Sequence, residues 1–580
     1  MNSTKTDAAP LPAVLTGIAE HSPNATWFPD SLTRHADALF IALEENGAPL
    51  LLQLGGAAGA FGLQGATTRT AHEVTVYLYP FGSKDRANIG AFANKIDTSF
   101  LPRPQRAQPG IACGNRHPEV SLPAVFDAFR EILHDSSLNL ASTVQLSATR
   151  EMTTDAEIAA RDGSNPAAPG HTRVSILDLY HAGLWAAIRA GYRSGYTAEA
   201  DHFIVSGADD AAIAKSVEWV KEAIRQAADY TKFTTDTSKV FDLRADTRHP
   251  SPLSELEIEE LYAKRLTREE QAWVQDAFSK PFDCDAATYQ FEPTEIKRLA
   301  VKFAPSLKLN EDLFDAILKV RNGAAFDFEP SLDEADTLTS AKELIFYMHW
   351  LKQRGRPAQL VPPNLGFKKR QAYPESRGAL EKYTHHKMWP EVMPRVDADF
   401  AGNPIAELQD RVRELADVAA YFDGTLSIHS GSGKQPEVLR SIGAATDGRL
   451  NYKISGELQL QLFDVLSECR EGSPERALYE RMVAACERFA AQNAFGEESA
   501  LAAQYRASGH GSYLGNASAG RVDGNLFLVF WLGNMVGCKD EDGKFFKDHL
   551  DALPASIISE TQRRNREYVK WLASHLFELG

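Results

Sequence analysis

The pattern that most constrains this 580-residue chain is an alternation: from about residue 138 onward, short β-type runs are each followed by a longer stretch of helical character. The runs are LNLASTVQLS (138–147), HFIVSG (202–207), TKFTTD (231–236), AAFDFEPSL (324–332), AQLVPP (358–363), TLSIHS (425–430), LNYKIS (450–455) and NLFLVFWL (525–532). Strands separated by helix-length connections read as parallel βα units, because a parallel neighbour is reached only through a crossover. Eight such units predict an α/β fold of the (β/α)8 TIM-barrel type, with the reacting groups at the C-terminal ends of the strands.

The flanking pattern sets the expected domains. Residues 1–130 read as a β-rich N-terminal region, since FIALEE, PLLLQLG and VTVYLYPF are apolar runs broken by Gly, Asn and Asp. Residues 131–580 are expected to hold the barrel, interrupted twice. Residues 251–321 read as a wholly helical insertion, in which Ser254-x-x-Glu257 has the spacing of a capping box and Leu256, Leu261 and Leu266 begin an apolar stripe. Residues 368–403 carry Pro, charge and large aromatics without a period, and read as a long active-site loop or lid.

Charge and composition exclude several functions. A formal net charge of −16 disfavours a nucleic-acid partner, whose phosphates draw binding from clustered Lys and Arg. No run approaches the ~20 apolar residues that span a bilayer, so no membrane association is expected. The N-terminus has no apolar signal core, and the five cysteines form no CxxC pair, which together point to a reduced, cytoplasmic protein. The expected partner is a small sugar acid, with a homo-oligomer left open.

Side chains able to do chemistry cluster at the predicted strand ends. TAEADHF places Glu199, Asp201 and His202 within four positions, and TLSIHSGSGK puts His429 at a strand end before a flexible turn and Lys434. FDFEPSLDEADT offers Asp333, Glu334 and Asp336 as carboxylates for metal binding or proton transfer. Arg150 of TREM suits a substrate carboxylate, and Lys232, Asp236 and Lys453 lie on other strands. Each of these three alone reads first as a barrel ion-pair member and only second as a catalyst. Together they converge on one mouth, where two imidazoles and a carboxylate suit a divalent metal ion such as Zn, Mn, Ni or Fe beside a cationic substrate-binding wall.

In QLSATREM, TAEADHF, DYTKFTTDTS, SLDEADT with a helix ending KQRG before AQLVPP, and LSIHSGSGK with LNYKISG, the chain resembles the tagaturonate epimerase family over roughly residues 138–470. The resemblance implies a metal-dependent isomerase that interconverts tagaturonate and fructuronate. It implies Asp201 as proton acceptor, Glu334 as proton donor, and His202 and His429 as metal ligands, with His386 the leading third ligand beside His385 and Asn364. Arg150, Lys232, Asp236, Lys434 and Lys453 are the expected substrate-binding residues. Inversion at C4 of a 2-ketouronate is out of reach of simple deprotonation, since C4 is alpha to neither carbonyl group; retro-aldol cleavage and reclosure reaches it, as does a transient ketose. The alternatives are another metal-dependent sugar-acid isomerase or aldolase, and a non-catalytic sugar-acid-binding barrel.

Overall fold

The computed structural model describes residues 24–71, 74–285, 287–333, 335, 337–367, 372–376, 379, 403–494, 496 and 531–577. They form two compact units: the described residues up to Pro102 with Tyr180–Gly195, and Arg103–Leu179 with those from Tyr196 onward.

The first unit contains an antiparallel sheet of β1 (Ala25–His35), β2 (Ala38–Glu45), β3 (Ala48–Leu54), β4 (Thr67–Ala71) and β5 (Val74–Pro80), in the order β1-β2-β3-β5-β4. The expected β-rich N-terminal region is therefore present. Asn46 and Gly47, both at positive φ, join β2 to β3 with Glu45 opposite Ala48. Asn-Gly is the pair that such a two-residue hairpin requires, because its twist demands left-handed backbone at both positions. Ile41, Leu43, Leu52, Val76 and Leu78 form one buried cluster. Phe40, out of phase with Ile41, instead meets the Phe92 ring.

The second unit is a nearly closed barrel of eight parallel strands: β6 (Gly110–Gly114), β7 (Ala141–Ser147), β8 (Tyr196–Ile204), β9 (Lys232–Asp236), β10 (Asp327–Ser331), β11 (Leu360–Val361), β12 (Thr425–Ile428) and β13 (Leu450–Ile454). All chain neighbours except β10 and β11 pair in parallel, and β13 pairs with β6. Between β10 and β11 the Gln359 amide donates to the Phe328 carbonyl and that of Leu332 to the Pro362 carbonyl, both at 3.0 Å. Helices follow all eight strands, among them α1 (Pro118–Asp135) after β6 and α2 (Ala341–Gln353) after β10. Outward side chains such as Phe233 and Phe328 are fully buried beneath them.

At three places the structure differs from the sequence reading. β6 lies before residue 131, and its sequence GIACG, short and flanked by two glycines, carries little of the β-branched signal by which strands are read. The run at 525–532 lies outside the described residues except for Trp531 and Leu532, which sit in a helical turn. The insertion is not wholly helical, because a hairpin of Phe282–Cys284 and Ala287–Tyr289 separates helix Arg268–Ala277 from α3 (Pro293–Val320). The capping box at Ser254 and Glu257 forms as expected.

Candidate active site

The site begins with an irregularity in β8. Glu199 and Asp201, two positions apart, share the inner face, and regular pleating would send His202 outward. Between Ala200 and Phe203 the register against β9 gains one residue, and His202 takes a left-handed φ of 51°. A bulge re-aims a side chain in this way, so Asp201 and His202 both reach the cavity. Ser430, just past the end of β12, is also left-handed at φ 57° and follows His429. Non-glycine residues held in this region concentrate at functional sites. Gly431 follows for a steric reason: a Cβ there would lie 2.4 Å from the Tyr452 ring, whose hydroxyl donates to the Gly431 carbonyl.

Below this mouth lies a buried ionic layer. The Lys453 ammonium sits 2.5 Å from Glu199, 2.8 Å from Asp201 and 2.6 Å from Glu329. Lys232 reaches Glu329 at 2.7 Å and Glu199 at 3.3 Å. Burial alone would neutralise Lys453, but the three carboxylates around it outweigh that and hold the ammonium charged. Likewise burial favours a neutral Asp201, yet Lys453 and the two imidazoles hold it ionised.

Two imidazoles complete the mouth. His202 Nε2 and His429 Nδ1 are 3.2 Å apart, and His202 Nε2 is 3.8 Å from Asp201 Oδ1. Each ring is backed at its other nitrogen by a buried carboxylate: Asp236 lies 3.5 Å from His202 Nδ1, and Glu329 lies 2.8 Å from His429 Nε2. Carboxylates behind imidazoles are the arrangement that orients metal-binding histidines. Two nitrogens each about 2.0–2.1 Å from one ion at a tetrahedral angle stand roughly 3.3 Å apart, so the observed spacing fits. Charge fits as well. Glu199, Asp201, Asp236, Glu329 and Asp333 gather around Lys232, Lys453 and the two imidazoles, five carboxylates to two ammonium groups. Burial by itself would lower the His202 pKa, but Asp201, with Asp236 and Asp333, raises it to about 9. The site thus recruits positive charge, which a divalent ion supplies in exchange for protons. Asp201, His202 and His429 bring ligand atoms within 4.8 Å of one another and can hold such an ion.

The cavity above them has a volume of about 280 Å³, and its wall includes Arg116, Arg150, Glu151, His171 and Asn534. Arg150 thus lines the cavity. Lys453 also lines it, whereas Lys232 lies one layer below and is 2% exposed. Asp236 serves His202, and its other oxygen accepts from the Ser238 amide and hydroxyl. Lys434 is outside the cavity lining: its ammonium stands over the Phe367 ring and donates to the Ser432 carbonyl. Asn364 spends its amide on Ala335 and Gly366 backbone. Glu334, Asp336, His385 and His386 lie outside the described residues, and Asp333 stands 3.3 Å from His429 Nδ1.

Against this geometry, known proteins give a consistent comparison. Residues 170–373 match the family model for tagaturonate epimerase. The chain resembles the tagaturonate epimerases. A tagaturonate/fructuronate epimerase of Thermotoga maritima is 26% identical over 299 residues, which make up 51% of this chain and 51% of that protein, so the match spans about half the length of the curated relative. The glycerol-complexed crystal structure of the fructuronate-tagaturonate epimerase of Cohnella laeviribosi superposes with a TM-score of 0.70 at 18% identity, covering 97% of this chain and 99% of that one. Its native structure gives 0.67 at 17% identity with the same coverage. The barrel fold is shared.

Sequence reasoning missed Glu329, Arg116 and His171. Glu329 had a signal, being a charged residue in phase with Asp327 inside a strand, where only an inward-facing partner makes burial tolerable. Arg116 follows the strand that was not recognised, and with no strand there was no strand end to inspect.

Proposed function

We propose that this chain is a metal-dependent epimerase of keto-hexuronates of the tagaturonate/fructuronate type. The observation that carries the reading is the convergence of Asp201, His202 and His429, drawn from two strands 227 residues apart, each imidazole backed by its own carboxylate. His202 and His429 would hold the divalent ion, with His386 the proposed further ligand. When bound, that ion supplies Lewis-acid polarisation of a carbonyl oxygen. Lys453 keeps Asp201 ionised and aimed at the mouth, where it accepts the proton of the substrate's C4 hydroxyl as the C3–C4 bond opens. Glu334 returns a proton when the bond closes on the other face. Arg150 faces the substrate carboxylate. The cavity wall keeps the two halves together while the aldehyde turns, so the six-carbon skeleton is conserved.

A cytoplasmic location belongs to the same reading, supported by the absence, among the described residues, of any helix long and apolar enough to cross a membrane. The test is incubation of the purified protein with tagaturonate and with fructuronate, each with Zn, Mn, Ni or Fe, followed by carbon NMR. Interconversion without three-carbon products is the expected result. Release of three-carbon fragments would make it an aldolase, and binding without conversion a sugar-acid-binding barrel.

A further inference from the structure

The wall of this cavity contains, among the described residues, three polar atoms that no protein group satisfies. They are Ser147 Oγ, His171 Nε2 and Asn534 Oδ1, each buried and each without a hydrogen-bond partner. Their residues are 8%, 7% and 8% exposed, and all three line the one cavity. Buried polar atoms are almost always paired, because an unpaired one forfeits its hydration. Three orphans on one cavity wall mark where a ligand's polar groups belong.

The wall holding them is rigid. Ser147 ends β7, and its backbone amide donates to Glu151 at 3.3 Å. Glu151 also accepts from Arg116 Nε at 2.9 Å and from the Ser455 hydroxyl at 3.1 Å. The loop carrying His171 is tied down on both sides, by the Gly170 amide on the Arg150 carbonyl at 3.0 Å and by the Thr172 hydroxyl on the Glu151 carbonyl at 2.5 Å. Beyond Asn534, a Cβ at Gly537 would lie 2.4 Å from the His171 carbonyl, so the two backbones are in direct contact.

Their chemistry selects the ligand. Burial, with Arg116 nearby, lowers the His171 pKa to about 3, so its imidazole is neutral. An amide oxygen accepts only, a neutral imidazole nitrogen accepts or donates once, and a hydroxyl does both. No member carries a charge, so the set is matched to hydroxyl groups and not to a carboxylate or phosphate. We infer that Ser147, His171 and Asn534 form a subsite for the hydroxyl-bearing, non-reacting end of an open-chain sugar acid. The inference rests on the proposed function for which end of the ligand lies at Asp201, His202 and His429.

The test is calorimetric titration of the metal-loaded protein with two unreactive ligands, a six-carbon aldonate and three-carbon glycerate, alongside thermal midpoints. Asn534→Leu and His171→Phe should each weaken aldonate binding about 10–100-fold, because a hydroxyl loses its partner in a buried place. Glycerate, too short to fill the wall, should bind within about twofold of wild type. Ser147→Ala, which removes one oxygen and keeps the strand, should weaken the aldonate about 3–10-fold and serves if the larger changes do not fold. Unchanged aldonate affinity in Ser147→Ala and in whichever other variant folds overturns the subsite, as does equal loss on both ligands. A wild type that binds the aldonate through these residues but does not convert keto-hexuronates would refute the proposed function and leave the subsite standing. Conversion with variants that bind normally would do the reverse.

Discussion

Two charge networks in the barrel unit are both built on buried lysines and carboxylates, yet they differ in charge balance and in how fully their polar atoms are paired. Beside α3, Lys302 donates to Asp246 at 3.0 Å and to Glu343 at 2.5 Å, and Arg248 pairs with Asp246 at 2.6 Å. That network holds two positive and two negative charges. None of its side-chain atoms is both buried and unpaired, and Glu343 also closes the capping box with Ser340 at the start of α2. The network at the barrel mouth has five carboxylates to two lysines, a left-handed histidine, and buried atoms such as Glu199 Oε2, Asp236 Oδ2 and His202 Nδ1 without an aligned hydrogen bond. A balanced, satisfied network fixes a fold, whereas an unbalanced one is held in place for something that binds.

From that contrast, the largest effects on turnover come from the unbalanced network. His202→Ala and His429→Ala should each lose bound metal and turnover together, since the ion's remaining ligands cannot hold it. Metal analysis of the purified variants beside wild type checks this. Full metal content in either variant would remove that histidine from the ligand set. A chelator should likewise abolish wild-type turnover, and an added divalent ion should restore it.

Glu334→Gln comes next, with an expected fall in kcat of about 10²–10⁴-fold at full metal occupancy, the range for loss of a general acid or base. The amide keeps the size of the carboxyl but cannot supply its proton. A metal-free variant would instead make Glu334 a ligand, and near-normal turnover would take it out of the site.

In the balanced network the expectation reverses. Lys302→Met leaves Asp246 and Glu343 buried with Arg248 as their remaining cation, at a cost of about 3–5 kcal/mol. Denaturant unfolding should show that loss while kcat per folded molecule stays at the wild-type value. A variant with normal stability and impaired kcat would erase the distinction between the two networks.

How much of this was legible in the sequence depends on whether the signal was local. Seven of the eight barrel strands were readable, because runs such as TKFTTD and LNYKIS carry β-propensity in a helical context, and the Ser254 cap follows from two side chains three positions apart. His429 was readable as a strand-end residue, whereas His202, expected at the start of a strand at 202–207 or in the loop before it, stands near the end of Tyr196–Ile204. What was not legible is what the fold alone decides. Nothing in TAEADHF announces a bulge, and without it His202 would face the helices. Lys232 and Asp236 were expected at the substrate, but the direction of each side chain and the depth of its layer exist only after the barrel closes. Ser147 and Asn534 are polar residues of ordinary type, and their distinction is a missing partner.

The smallest effect expected is on pH dependence, and it tests the neutrality of two buried imidazoles. Burial, reinforced by Lys547 and Arg116, lowers the His117 pKa to about 3, and burial with Arg116 lowers that of His171 to about 3. His117 Nε2 lies 3.1 Å from the Gln459 amide nitrogen, a contact that only an unprotonated nitrogen can accept. Unfolded, both rings titrate near 6.5. Between the two values the unfolded chain binds protons that the folded one refuses, so stability rises with pH there. It is complete above about 6.5, declines as the pH falls through that value, and levels off only near 3. At pH 5.5 each ring should withdraw about 1.4 kcal/mol. Urea unfolding of wild type and His117→Gln at pH 7.5 and 5.5 checks this: the variant, whatever its stability at pH 7.5, should lose about 1 kcal/mol less on acidification. Equal losses would mean that His117 already carries its proton in the folded protein, against the hydrogen bond it accepts from Gln459.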